Sequence, residues 1–366
     1  MQVVDAKFVS GKKVLLRYDI DVALGKGTGD RVQVTEDFKL RAGLNTIKLC
    51  LDNASKVIIV GHLGRPFATA EDEKKGKPSE LSAKPIQEWF NLHLPGVKAH
   101  LEGVFFAKTL EEVAQSTSKV VLLENIRFFH GEVPGADYHA TCTSKTCDVD
   151  FAKQLASLGE VYVNEAFSAH NIAASTTIVP TLLPHRAGLH FAEEVRVLRE
   201  VRENPKKPFV AIMGGAKVKD KLPVIEVLAK KANAVLVGGK LVHEIREQNV
   251  KLPANVLVGK LNEDGFDISA DTTDSWKDLI LKAKMIIWNG PLGKFEDPKY
   301  EQSGKIARLV LDSGAEIVVG GGDTVALLGS LGLLARYVEV GFVSVGGGAM
   351  LKLISDGTLP TIEVLV

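Results

Sequence analysis

The sequence predicts an α/β protein of two Rossmann-like lobes with parallel sheets, joined by a helix hinge. Three observations predict it. Short β-branched runs alternate with helical patterns along all 366 residues, the signature of parallel strands covered by helices. A chain of this length exceeds one ordinary core and suits two domains. Between the halves, "HFAEEVRVLREVRENPKKPF" holds a charged amphipathic stretch from His190 to Asn204. Prolines at Asn204-Pro205 and Lys207-Pro208 stop that helix, and a helix between two lobes is a lever for closure. The resulting division is 1–185, a helix over 186–204, and 205–349.

In the first half the strands read "KVLLRYD", "KVIIVGH", "KVVLLEN" and "EVYVNEA". In the second they read "PFVAIMGG", "AVLVGG", "NVLVG", "MIIWNG", "EIVVGGG" and "FVSVGGG". Helical stretches such as "TEDFKLRAGLNTIKLCLDN" and "VDFAKQLASLGE" lie between them, and "LGKGTGDRV" reads as a loop. First-half strands run into Arg17, Asp19, Asp21, His62, Arg65, Glu124 and Arg127, whereas second-half strands run into Gly214–Gly215, Gly238–Gly239, Gly320–Gly322 and Gly346–Gly348. Ligands of open α/β sheets bind beyond the carboxyl ends of the strands. The first half therefore offers cationic side chains to a small anion, and the second offers backbone amides to phosphates.

Composition narrows the function. Lys+Arg and Asp+Glu balance at 45 each, so neither a general nucleic-acid binder nor a membrane-surface binder is expected. No apolar run approaches the roughly 20 residues of a membrane span, and the first residues lack a signal-peptide pattern. A cytoplasmic protein is expected. Three cysteines are too few for a disulfide framework. Cys50 reads as a core residue at a helix end. His130, His139, Cys142 and Cys147 share a polar segment that could hold zinc, but the Cys spacing is weaker than a C-x-x-C pair and a surface loop with free thiols is preferred.

Several short stretches carry possible chemistry. In "GGAKVKDKLPVIEVL", Lys217 and Lys221 fall on adjacent turns of one helical face; they hold an anion or are merely solvated. Neither a Walker A loop nor a Rossmann fingerprint occurs. "VIIVGHLGRP" puts His62 and Arg65 just past a strand, and with Arg127 these suit a carboxylate or phosphate, which Arg forks bind; His62 alone is equally read as a satisfied loop histidine. "MIIWNGPLGKFED" ends a strand with Asn289, then supplies Glu296. In "IVVGGGDTVALLG" the amides of Gly321 to Thr324 stand at a helix start, the positive end of the helix dipole. Asp323 would repel bare phosphate, which argues for a metal between them.

Taken in order, "GKKVLLRYDIDVAL", "HLGRP", "LLENIRF", "VYVNEAF", "GGAKVKDK", "DISADT", "IIWNGPLGKFE", "VVGGGDT" and "VGGGAM" resemble the phosphoglycerate kinase family over nearly the whole chain. The resemblance implies a monomeric, two-lobed enzyme that moves a phosphoryl group between 1,3-bisphosphoglycerate and ADP with Mg²⁺, giving 3-phosphoglycerate and ATP. It also implies a tail, about 350–366, packing back on the first lobe. Phosphoglycerate would meet Asp19, Asp21, Lys39, His62, Arg65, Arg127 and His170. The nucleotide would meet Gly215, Lys217, Lys221, Gly239, Asn289, Glu296, Gly320, Gly321, Gly322, Asp323 and Thr324, with Asp323 at the metal. Lys39, Lys217 and Gly322 take the catalytic positions.

The chain departs from that family in four places. Asp21 replaces the usual Asn, a carboxylate that must be paired beside an anionic substrate. Lys39 stands for the catalytic arginine and loses the planar fork; Arg41 lies on another helical face. "SAHNIAAS" is one residue short and has Asn171 where an arginine is expected, a role that Arg186 could fill. The stretch Gly239–Asp267 is short, keeping only "NVLVG". These changes predict intact nucleotide binding with weakened or retuned phosphoglycerate catalysis. Two other readings stay open at this point: a nucleotide-binding regulatory or scaffold protein of the same fold, and a nicotinamide dehydrogenase, which the absent fingerprint disfavours.

Overall fold

The computed structural model describes residues 1–27, 31–67, 76–94, 103–132 and 148–366. It divides into two compact units, Met1–Glu193 with Leu359–Val366, and Glu194–Thr358. Each is an α/β unit on a parallel sheet.

The first unit contains β1 (Lys13–Arg17), β2 (Leu24–Lys26), β3 (Val32–Val34), β4 (Lys56–Val60), β5 (Phe105–Ala107), β6 (Val120–Leu123), β7 (Val161–Asn164) and β8 (His185–Ala187). Its sheet runs β5-β6-β4-β1-β7-β8, all parallel. Val14, Leu15 and Leu16 of β1 are fully buried, as expected of a central strand covered on both faces. The helices Leu44–Asn53 and Lys84–His93 contribute Ile47, Cys50, Ile86 and Phe90 to this core. Burial pushes the Cys50 thiol up to about 12, which leaves it an inert packing group.

Three local expectations differ from the fold. "LGKGTGDRV" is not a plain loop, because β2 and β3 pair antiparallel across it. β5 and β8 were not anticipated; each is a three-residue edge strand, too short to show a period. The stretch read as one helix after Thr35 breaks at Gly43 into Phe38–Ala42 and Leu44–Asn53.

The second unit contains β9 (Phe209–Met213), β10 (Ala234–Val237), β11 (Val256–Val258), β12 (Met285–Asn289), β13 (Glu316–Gly320) and β14 (Phe342–Ser344). They are parallel in the order β11-β10-β9-β12-β13-β14. Register aligns the strand ends. Asn289 pairs with both Met213 and Gly320, and Gly320 pairs with Ser344. The glycine turns that follow therefore emerge side by side. The stretch 239–267 keeps more than a strand, since it also forms the helix Leu241–Glu247. The helix Leu189–Glu203 runs across the division between the units. Gly347–Asp356 belongs to the second unit, and Leu359–Val366 to the first.

Candidate active site

In the first unit, the ends of β1, β4 and β7 deliver Asp19 and Asp21, His62, and Ser168 with His170. His62 is buried. Burial holds its imidazole well below the usual value, reinforced by the charges of Arg127, Arg17, Lys39 and Arg65. It is neutral at pH 7. Its Nδ1 lies 2.8 Å from Arg17 Nη2; the guanidinium is an obligatory donor, so Nδ1 accepts and Nε2 carries the proton. That proton faces Asp21 Oδ2 at 3.9 Å.

The two acids are held in place. Asp19 accepts from the Ser168 hydroxyl at 2.5 Å, and Asp21 accepts from the Gly64 amide at 2.8 Å. Lys39 Nζ lies 3.8 Å from Asp19 and 3.9 Å from Asp21. Arg127 donates to the Gly64 carbonyl at 2.6 Å, and the His170 ring meets the Ser168 carbonyl at 2.9 Å. Arg65 is exposed beside the cluster.

Arg41 turns away from these groups, donating to Asp37 at 2.8 Å and lying over the Trp89 ring. Arg186 lies 4.6 Å from the Phe8 ring and donates to the His185 carbonyl. The expectation that Arg186 binds the anion in place of an arginine at position 171 is not met, because its planar cation stacks on an aromatic face. Asn171 itself is exposed. His130 stacks on Phe67, while His139, Cys142 and Cys147 lie outside the described residues.

In the second unit the glycine turns nest together. The Gly214 amide donates to Asn289 O at 2.9 Å, and the Gly215 amide to Pro291 O at 2.7 Å. A Cβ on Gly214 would collide with the carbonyls of Gly290 and Pro291, and one on Gly239 with the Gly215 backbone and Pro291. The amides of Gly214 and Gly215 thus serve turn-to-turn bonds, which corrects the reading of this pair as bare phosphate donors. Asn289 donates to the Gly320 carbonyl at 2.9 Å. Thr324 is fully buried; its hydroxyl accepts from the Gly290 amide at 2.8 Å and donates to the Gly320 carbonyl at 3.0 Å. Thr324 is therefore a clamp between turns, and its side chain is not presented to a ligand.

The open donors stand next to that clamp. Gly321, with φ 103°, caps the helix Gly322–Ser330, a backbone geometry that glycine adopts without strain. The first amides of this helix have no intrahelical acceptor, and a Cβ on Gly322 would meet nothing. Asp323 is exposed on the same turn. Lys221 is buried, with Nζ donating to the Gly214 carbonyl. Burial lowers its ammonium to about 8, while Asp323 and Asp220 pull it back up. Lys217 is exposed and, at φ 69°, stands outside the helix Val218–Ala229 as its N-cap residue. The two lysines do not share a helical face, which corrects the reading of "GGAKVKDK". Glu296 is exposed in the turn after Leu292.

A family model described as phosphoglycerate kinase matches residues 3–251 and 243–357. The chain belongs to the phosphoglycerate kinase family. The phosphoglycerate kinase of Dictyoglomus turgidum is 32% identical over 411 residues, covering 98% of this chain and 96% of that protein. That of Salinibacter ruber is 34% identical over 409 residues, covering 98% and 97%. Among solved structures, the phosphoglycerate kinase of Coxiella burnetii superposes with a TM-score of 0.75 at 26% identity, covering 98% of this chain and 96% of that one.

In this member of the phosphoglycerate kinase family, several buried groups behind the first-unit cluster escaped sequence reasoning. Arg17 stood out only as a strand end; it is 1% exposed and donates to Ser175 Oγ at 2.9 Å and to Tyr18 O at 2.9 Å. Ser175 in turn donates to Glu132 at 2.6 Å. Glu165 accepts from Thr46 Oγ1 and from the His190 and Phe191 amides. Apart from the Tyr18 carbonyl next to Arg17, their partners lie from 25 to 158 residues away, so no local pattern marks them.

Proposed function

We propose that the chain transfers a phosphoryl group reversibly between 1,3-bisphosphoglycerate and ADP, giving 3-phosphoglycerate and ATP, as a cytoplasmic monomer. The observation that carries this reading is the cation cluster of Arg17, Lys39, Arg65 and Arg127 around a neutral, buried His62. Such a cluster suits a small phosphorylated acid. Lys39, Arg65 and Arg127 bind the phosphoglycerate, with His62 Nε2–H as an uncharged donor and the His170 ring beside them. Asp19 and Asp21 hold Lys39 toward it.

The nucleotide phosphates lie against the amides of Gly322 to Thr324, with the ammonium groups of Lys217 and Lys221 beside them. Asn289, Gly215, Gly239 and Gly320 shape the turns, and Glu296 meets the ribose. Phosphoryl transfer needs placement and charge compensation rather than covalent work by the protein. A carboxylate acceptor needs no general base, which agrees with a neutral His62 and the absence of a nucleophile–base pair in the proposed roles.

Mg²⁺ fits this chemistry, since Asp323 is an exposed oxygen donor beside phosphate-facing amides, and one carboxylate plus phosphate oxygens is a usual Mg²⁺ set. When bound, it neutralises charge on the transferring phosphate. Turnover of 3-phosphoglycerate with MgATP, lost in Asp323→Ala, tests the assignment. No turnover by the unmodified chain would overturn it.

A further inference from the structure

Among the described residues, Lys217 and Asn249 are the non-glycine residues with positive φ, at 69° and 49°. An L-residue persists in the left-handed region only where its surroundings over-determine it. At Lys217 the determinant is visible. Glu244, on the helix Leu241–Glu247, accepts from the Lys217 amide through Oε1 at 2.9 Å and from the Val218 amide through Oε2 at 2.7 Å. Both oxygens are engaged on consecutive N–H groups of another segment. These bonds, Val218 first and Lys217 second, hold the carboxyl below its ordinary range, so it is ionised.

The geometry has two effects on the nucleotide side of the unit. The carboxylate occupies the N-terminal amides of the helix Val218–Ala229, where an anion could otherwise sit. Phosphate is thereby left to the amides of Gly322 to Thr324. The same bonds start the helix at Val218 and keep Lys217 out of it. Its side chain departs from a non-helical residue and is exposed, while Lys221 is buried four residues later.

We propose that Glu244 is a positioning residue: its carboxylate fixes Lys217 in the left-handed conformation and so aims the Lys217 ammonium at the nucleotide phosphates. This rests on the reading of Lys217 as a phosphate ligand given above. Glu244 touches no reacting group, and in this role it acts through Lys217.

A double-mutant cycle on the full chain separates this from a general structural role. Glu244→Ala and Glu244→Gln are each made alone and with Lys217→Met, and kcat, KM for MgATP, KM for 3-phosphoglycerate and Tm are measured. Glu244→Ala is expected to lower kcat/KM for MgATP about tenfold, with KM for 3-phosphoglycerate unchanged, and by less than about twofold once Lys217 is Met. Glu244→Gln, which keeps the length but accepts through one oxygen, is expected to fall between wild type and Ala. An equal loss in both backgrounds, or no loss in the Lys217 background, overturns the proposal. If Glu244→Ala does not fold, the Gln pair decides by the same comparison. Absence of turnover by the unmodified chain overturns the proposed function and this inference together; turnover with additive losses overturns the positioning role alone.

Discussion

Lys39 Nζ stands 3.9 Å from Asp21 Oδ2, so two of the four positions that the sequence resemblance singles out as departures face each other. Each alone is unfavourable in a site for an anionic acid. Asp21 adds negative charge, and Lys39 gives up a bidentate fork. Together they form a partly exposed ion pair whose net charge is zero, with Asp19 as a second partner of the same ammonium at 3.8 Å.

Lys39→Ala is expected to lower kcat/KM for 3-phosphoglycerate at least about tenfold, with KM for MgATP little changed. Lys39→Arg is expected to raise activity, because the fork returns. The gain from Asp21→Asn with Lys39→Arg should exceed the product of the two single effects, since the residues are in contact. Steady-state kinetics on wild type, the three single variants and the double variant checks these statements; strict additivity would dismiss the coupling.

Lys221 gives a pH dependence on the nucleotide side. Its ammonium is lowered to about 8 from 10.5 by burial. It is charged below that value and loses its charge as pH rises through it. Nucleotide affinity should therefore weaken as pH rises above about 8, and a bound phosphate, being anionic, would move this transition upward. Calorimetric titration of MgADP across that range measures it. Lys221→Arg keeps the charge at all these pH values and should flatten the profile.

Glu165 predicts a change in stability rather than in binding. Burial raises its carboxyl from 4.5 to about 7, against the lowering influence of His190 and of its hydrogen bonds. The folded state holds the proton more tightly than the unfolded state. The stabilisation is complete below pH 4.5 and is lost as pH rises through about 7. Glu165→Gln should remove that decline, seen as a smaller fall in Tm across this window.

Thr324→Val removes a hydroxyl that joins the Gly290 amide to the Gly320 carbonyl. The buried Gly290 N–H then lacks its partner, which costs about 1–3 kcal/mol. Thr324→Ser keeps the hydroxyl and should recover most of the stability. Chemical denaturation of the three proteins measures the difference.

Strands longer than three residues were legible because buried parallel strands are continuous apolar runs. The second-unit turns were also legible as places, since glycine repeats mark close backbone approach. Their division of labour was not. Gly215 and Thr324 look like phosphate donors in sequence, yet neighbouring turns claim them, and only the register of β9, β12 and β13 brings those turns together. Glu244 was invisible for the same reason, lying 27 residues from the amide that it holds. Lys39 was legible because its position in the family pattern singles it out; that it meets Asp21 was not.

The level ends of β9, β12, β13 and β14 bear on how this chain can change over evolutionary time. Inserting or deleting one residue within any of these strands would reverse its faces and displace its turn from the neighbours that interlock with it. Length can vary instead in the parts of the returning segments that lie beyond those turns. The stretch between the helix Leu241–Glu247 and β11 is such a place, where residues can be gained or lost while the turns stay in step.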